Sequence, residues 1–491
     1  MAELYKNMGF NENPFSRFSA EEEIDYLQEI FVRPKYYPTI HSDIKSGASR
    51  FIFGERGVGK SALVLNLLED FSKEQVFAIL IDDYEGISET DNGQQLLLLT
   101  LRKLVTSFGL FLLKNKHCIK SLSREEKEKL TLFINTFFET LSKKQFFDLY
   151  NRVTHIKSIN FIKKIFNYFL LKPINTALSG CSEFIGSTIS RALGLPMYIS
   201  ESVYKEYISE LKDTGYIDSV DPNSLDYRTL KLMLLELAEL IKKCNFIGVV
   251  VIYDKIDEYR LLGTQVSRIA YFTKELVLDN ALLLNNTISL VFSFWSKLKQ
   301  PLTEMGVRCD KLKPIDITWT DSELARIIGD RLAFFSNKKI TSLDQIISNK
   351  YSEVVLQLAN CSPRHLIILL SKIYDEQATV DDTCSRFSDN AIEKGLINFA
   401  KTFDFGTYYA GKNPETIRKI VGELIRVHKI EFETKDLIET FKISSQAANR
   451  KIQMIQEYGL IEEIATGTRT KKYKIRDPRL VYMINKNLRP N

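Results

Sequence analysis

Hydrophobic positions along this chain fall into short unbroken runs and longer stripes of helical spacing. Arg50-Phe51-Ile52-Phe53 is too brief for a helix and ends at Gly54, which predicts a buried strand. Val76 to Asp82 (VFAILID), Phe246 to Tyr253 (FIGVVVIY) and Ile288 to Phe294 (ISLVFSF) repeat the pattern. The helical segment Lys60 to Phe71 lies between the first two runs, and strand, loop, helix, strand in that order implies parallel pairing. Four such strands separated by helical sequence predict an α/β fold with a three-layer core.

About 160 residues separate the second and third strands, far more than a crossover needs, so residues 88–243 are expected to form a helical insertion. Ser123-Arg124-Glu125-Glu126 is a capping-box start, after which Leu130, Phe133, Ile134, Phe137 and Phe138 recur at helical spacing as a core stripe. Gly180, Gly186 and Gly194 punctuate a small-residue stretch read as tight helix packing. Two helical units follow the last strand, Asp321 to Phe335 and Pro363 to Gln377, and the periodicity breaks near Gly406 to Pro414. The expected organisation is a lead-in over 1–45, a core over 46–320, a helical lid over 321–405 and a small domain over 412–491.

Composition narrows the classes. Hydrophobic residues at 44% and charged residues at 26% exclude a disordered or fibrous chain, and a net charge of +5 excludes a wholly polybasic one. The six cysteines stand singly with no C-x-x-C pair, which argues against zinc and for reduced thiols. Charged residues interrupt the windows Leu96 to Leu113 and Phe161 to Leu171, and Glu3, Lys6 and Asn7 follow Met1 closely, so the expectation is a cytoplasmic protein with no membrane partner.

Gly54-Glu55-Arg56-Gly57-Val58-Gly59-Lys60-Ser61, followed by Ala62, fits G-x-x-x-x-G-K-[ST] between a strand and a helix start. The glycines let successive N–H groups face phosphate oxygens and the helix adds its positive end. Lys60 would neutralise the β- and γ-phosphates of ATP, and Ser61 would supply a hydroxyl to Mg²⁺. A second Mg²⁺ ligand is expected at the end of a neighbouring strand, where Val250-Val251-Ile252-Tyr253 runs into Asp254. Asp257 or Glu258 would then activate the attacking water.

The order of phosphate loop, YDKIDE strand end, Ile317 to Leu332 (ITWTDSELARIIGDRL) and Cys361 to Leu370 (CSPRHLIILL) resembles an AAA+ ATPase of the origin-initiator and STAND branch, over about residues 45 to 380 apart from the insertion. Lys255 departs from the adjacent Asp-Glu pair of most such ATPases, and the spacing is similar to that of NACHT-type members. The resemblance implies that Arg364, after Pro363 at the start of a lid helix, senses the γ-phosphate. It implies an arginine finger at Arg308 acting on a neighbouring subunit, a polar sensor at Ser293, and a lead-in at Asn13-Pro14-Phe15 near the adenine.

Between Glu415 and Asn491, sixteen Lys and Arg against ten Asp and Glu leave +6, so the positive charge of the whole chain is concentrated here. The order of helix Asp436 to Phe441, turn, helix Ser445 to Tyr458, Gly459, strand, loop and strand resembles a winged helix-turn-helix. As a DNA reader it would turn Gln446, Asn449, Arg450 and Gln453 to the major groove and Arg469, Lys471 and Lys472 to phosphates. Winged helices on STAND ATPases also pack on the ATPase or bind protein.

Together these imply an ATP-hydrolysing switch that couples nucleotide state to self-association or to an effector protein or DNA, with anti-phage defence favoured by the acidic spacing. The alternative is a DNA-binding initiator or regulator in which nucleotide is structural. A P-loop kinase is a third class, disfavoured because no acceptor site is legible.

Overall fold

The computed structural model describes residues 3–89, 92–139, 189–196, 223, 225–263, 265–409, 413–464 and 471–489. Five parallel strands form one sheet: β1 Arg50–Gly54, β2 Val76–Ile81, β3 Gly248–Tyr253, β4 Ser289–Trp295 and β5 Ile315–Ile317, in the order β2-β3-β4-β1-β5. The α/β class and the four long strands are as the sequence predicts. β5 is a fifth strand that three residues are too few to reveal by pattern.

Alternate residues of the strands feed two cores, as pleating requires when both faces are covered. Phe51, Phe53, Val249, Val251, Phe292 and Phe294 enter one. Ile52, Val250, Ile252, Val291 and Ile317 enter the other, together with Leu63, Val64, Leu67 and Phe71 of α1 Lys60–Lys73.

The first core also takes in α2 Asn92–Lys114, α3 Arg124–Phe137 and α4 Tyr227–Lys243. Helices α2 and α4, at the two ends of the long stretch between strands, thus serve as the sheet's own covering layer. Ser123 and Glu126 close the capping box, and the stripe from Leu130 to Phe138 is buried. By length and composition α2 is apolar enough to cross a membrane, but 78% of its most apolar window is buried inside the protein. Gly180, Gly186 and the window from Phe161 to Leu171 lie outside the described residues.

Beyond β5, α5 Asp321–Phe335, α6 Asn349–Ala359, α7 Pro363–Val380 and α8 Asp389–Thr402 join the second core. A third core unites α9 Pro414–Val427, β6 Glu431–Glu433, α10 Thr434–Phe441, α11 Ser445–Glu457, β7 Ile461–Ile464, β8 Lys472–Ile475 and α12 Pro478–Asn485. Its antiparallel sheet has the order β6-β8-β7, which is a winged-helix arrangement. Helix α12 packs against α6 and α8, so this unit is seated on the lid helices.

Candidate nucleotide site

The loop after β1 needs glycine at two places. Gly57 and Gly59 have φ of 83° and 91°, a region that costs side-chain-bearing residues energy. A Cβ on Gly57 would also lie 2.7 Å from Ser362 Oγ. Trp319, just past β5, donates from Nε1 to the Val58 carbonyl at 2.8 Å and braces the loop from behind. Lys60 Nζ donates to the carbonyls of Gly54 and Glu55 at 2.9 and 3.2 Å. Burial lowers its pKa, against the opposing pull of Asp257, Asp254 and Glu55.

At the carboxyl end of β3, Asp254 is 2% exposed and accepts from Ser61 Oγ at 2.7 Å. This contact joins the two Mg²⁺ candidates. Burial raises the Asp254 pKa, and Ser293, Ser61 and Lys60 counter it. Ser293 Oγ is buried and has no partner of good hydrogen-bond geometry, although it lies near enough to Asp254 to favour its anion. A buried carboxylate short of positive charge, beside a hydroxyl and an ammonium, suits a cation carried in with phosphate. The described residues contain no cluster of three or more His, Cys, Asp or Glu that could hold a metal alone. Ser61 and Asp254 are the donors here, an oxygen pair that fits Mg²⁺, which keeps most of its shell for water and phosphate oxygens.

Lys255 explains the departure from an adjacent Asp-Glu pair. It is left-handed (φ 58°), and its Nζ reaches Glu21 at 2.7 Å and Asp82 at 3.8 Å. The residue ties the acidic turn to the N-terminal segment. The short helical turn Ile256–Glu258 carries both acids, and both line the cleft. Asp257 is 7% exposed and is held by Arg56, whose Nε donates to Oδ2 at 3.1 Å and whose Nη2 donates to the backbone oxygen at 3.0 Å. Glu258 lines the cleft, with its pKa raised by burial and by Asp257, while Lys255 and Arg364 pull it down.

The lid closes over the loop. Ser362 Oγ donates to the Gly57 carbonyl at 3.1 Å, the Arg364 backbone N–H donates to the same oxygen at 3.3 Å, and Arg364 Nε donates to the Phe18 carbonyl at 3.2 Å. Pro363 opens α7 and Ser362 caps it. The cleft so formed is lined by Arg56, Lys60, Ser61, Asp254, Asp257, Glu258 and Arg364 together with Phe18, Ala20, Leu27 and Ile367.

Phe15 does not join this cleft. It is fully buried against Tyr374 and Phe387 of the lid core, and residues 18–27 form the wall instead. That wall is pinned by Arg331 of α5, 3% exposed, which donates to the Pro14 carbonyl, to the Arg17 carbonyl at 3.3 Å and to the Glu23 carboxylate. Sequence reasoning missed Arg331, yet a signal was present. With Leu324, Ile328 and Phe335 it falls on one apolar stripe, where a charge needs a buried partner.

Arg308 lies outside the cleft. It is half exposed and forms a two-bond pair with Asp310 at 3.0 and 2.8 Å. Glu55 accepts from Trp295 Nε1 at 2.9 Å, and the guanidinium of Arg56 lies 4.7 Å from the Trp295 ring centroid. The two charges inside the phosphate loop thus have structural partners.

No family model matches this sequence, and no curated protein matches it. Among solved structures the chain is similar to the Aeropyrum pernix Orc1 protein in complex with DNA, at 10% identity and a TM-score of 0.35, over 94% of each chain. A likeness that distant leaves the reading to the chain's own geometry.

On α11, Gln446, Asn449, Arg450 and Gln453 are exposed along one face, while Ala448, Ile452 and Ile455 face the core. The wing lysines are partly neutralised, since Lys471 pairs with Glu463 at 3.0 Å and Lys472 with Glu431 at 2.6 Å. Arg469 lies outside the described residues.

Proposed function

We propose that the chain binds ATP with Mg²⁺, hydrolyses it slowly, and uses nucleotide state to set the lid and winged helix for self-association or partner engagement. The observation that carries this reading is the Gly57 carbonyl, which accepts from both Ser362 and Arg364 and so makes the lid touch the loop that would cradle the phosphates. Lys60 and Arg364 supply positive charge to the phosphates, and Ser61 and Asp254 hold the metal. Bound there, Mg²⁺ would neutralise charge developing on the phosphate oxygens.

Glu258 is the better general base. Asp257 gives its carboxylate to Arg56, while Glu258, which lines the same cleft, has its pKa raised by burial and by Asp257, the direction that favours proton acceptance. Lys60→Ala should abolish ATP binding in an equilibrium assay, and unchanged binding would sink the reading. Arg308 serves a neighbouring copy in this proposal, and mass by light scattering with and without ATP tests that. An anti-phage or signalling role rests on the spacing of Asp254, Asp257 and Glu258, and infection of cells carrying Lys60→Ala in place of the native chain tests it.

A second reading, a DNA-binding regulator with structural nucleotide, is favoured by the open polar face of α11. It expects the full chain to bind duplex DNA with a salt-dependent affinity that Arg450→Ala weakens, and no phosphate release above background.

A further inference from the structure

Two chains of contact leave the nucleotide cleft and end on the same buried pair. The first begins at Glu55 and Arg56, which hold the Trp295 indole from its N–H and its face. Lys297 Nζ sits 4.9 Å from the Trp295 ring centroid and 5.4 Å from that of Tyr409, and Tyr409 donates its hydroxyl to Asp477 Oδ2 at 2.7 Å. The second begins at Arg364, whose neighbour His365 places Nδ1 3.4 Å from Arg479 Nη1. Arg479 donates to Asp477 at 2.9 Å from Nε and 2.6 Å from Nη2, and neither side chain is exposed at all. This pair opens α12, the helix that seats the winged helix on the lid.

A buried ion pair tolerates few arrangements, because any that leaves a charge unpaired costs its full desolvation. Such a junction responds by shifting between discrete packings. Arg56 and Lys297 both lie over the Trp295 ring, and Arg56 also bonds Asp257. An anionic ligand beside Lys60 would compete with both for the Arg56 guanidinium and leave Lys297 on the indole.

We propose that Trp295, Lys297 and Tyr409 form a relay through which phosphate charge at the loop alters the seating of the winged helix, with Asp477 and Arg479 as its receiving end. The relay rests on the reading that the cleft binds a nucleoside triphosphate. Trp295 belongs to the core, so the informative variants are Lys297→Met, which keeps the apolar stem, and Tyr409→Phe, which removes one hydroxyl.

The experiment is amide hydrogen exchange over Pro478–Asn485 in the full chain, with and without ATP and Mg²⁺, alongside ATP affinity. In the native chain ATP should change exchange there by about tenfold, within the usual span of coupling between sites. Both variants should bind ATP within about threefold of the native chain and lose most of that change, while Lys297→Arg, which retains the cation, keeps it. A full response in both variants overturns the relay, as does its loss in Lys297→Arg. An ATP-binding native chain with no response over Pro478–Asn485 overturns the relay alone, whereas failure to bind ATP removes the nucleotide reading and the relay with it.

Discussion

Arg56 and Asp257 stand 201 residues apart in sequence and are joined by an Nε to Oδ2 hydrogen bond of 3.1 Å. The contact binds the phosphate loop to the acidic turn after β3, the two motifs that nucleotide chemistry needs side by side. It also divides the labour of the two acids in that turn.

Glu258→Gln is expected to keep the fold and ATP binding but to slow phosphate release by at least about 10²-fold, the usual worth of a general base. Asp257→Asn should instead lower the urea midpoint, since it leaves Arg56 without its anion. Equal loss of turnover with unchanged stability in both variants would contradict the assignment.

At Gly57, alanine meets two penalties, a positive φ and a Cβ placed 2.7 Å from Ser362 Oγ. Strain of about 1–3 kcal/mol should appear as lid displacement, with ATP affinity weakened roughly tenfold or more. Isothermal calorimetry on Gly57→Ala checks this, and Gly86→Ala, which also has positive φ but has nothing within 4 Å of its Cβ, controls for backbone strain.

Arg331→Met should be among the costly single changes in the lid. It leaves the buried Glu23 carboxylate unpaired, and breaking one side of a buried pair costs about 3–5 kcal/mol. Thermal unfolding should show the loss, and ATP affinity should fall with it because residues 18–27 form the cleft wall.

His365 gives the junction a pH dependence. Burial, and then the neighbouring Arg479, push its pKa down to about 3. The unfolded chain binds a proton below about 6.5 that the folded ring refuses, so stability present at pH 7 falls as pH drops toward 3, by about 1.4 kcal/mol per unit. His365→Phe, which keeps an aromatic ring beside Phe403 and Tyr408, should remove that slope between pH 6.5 and 5. Parallel pH profiles of urea unfolding in both chains would assign the slope to another group.

What the sequence alone determined was local. The phosphate loop, the acidic strand end, the capping box at Ser123 and the helix-turn-helix are each written in about two dozen consecutive residues or fewer, where spacing reveals shared geometry. The wing charges were legible too, but not their pairing with Glu463 and Glu431, which depends on strand register and on which side chains meet across it.

Tertiary structure alone decided which distant residues share the cleft. Nothing along the chain sets Arg331 against Glu23, Lys255 against Glu21, or Lys297 between Trp295 and Tyr409, because those contacts exist only once the sheet and lid are packed. It also returned α2 and α4 to the core, since a parallel sheet must bury both faces and takes its cover from wherever the chain brings it. The motifs name the chemistry locally, and the long-range burial of charge determines which groups are left to perform it.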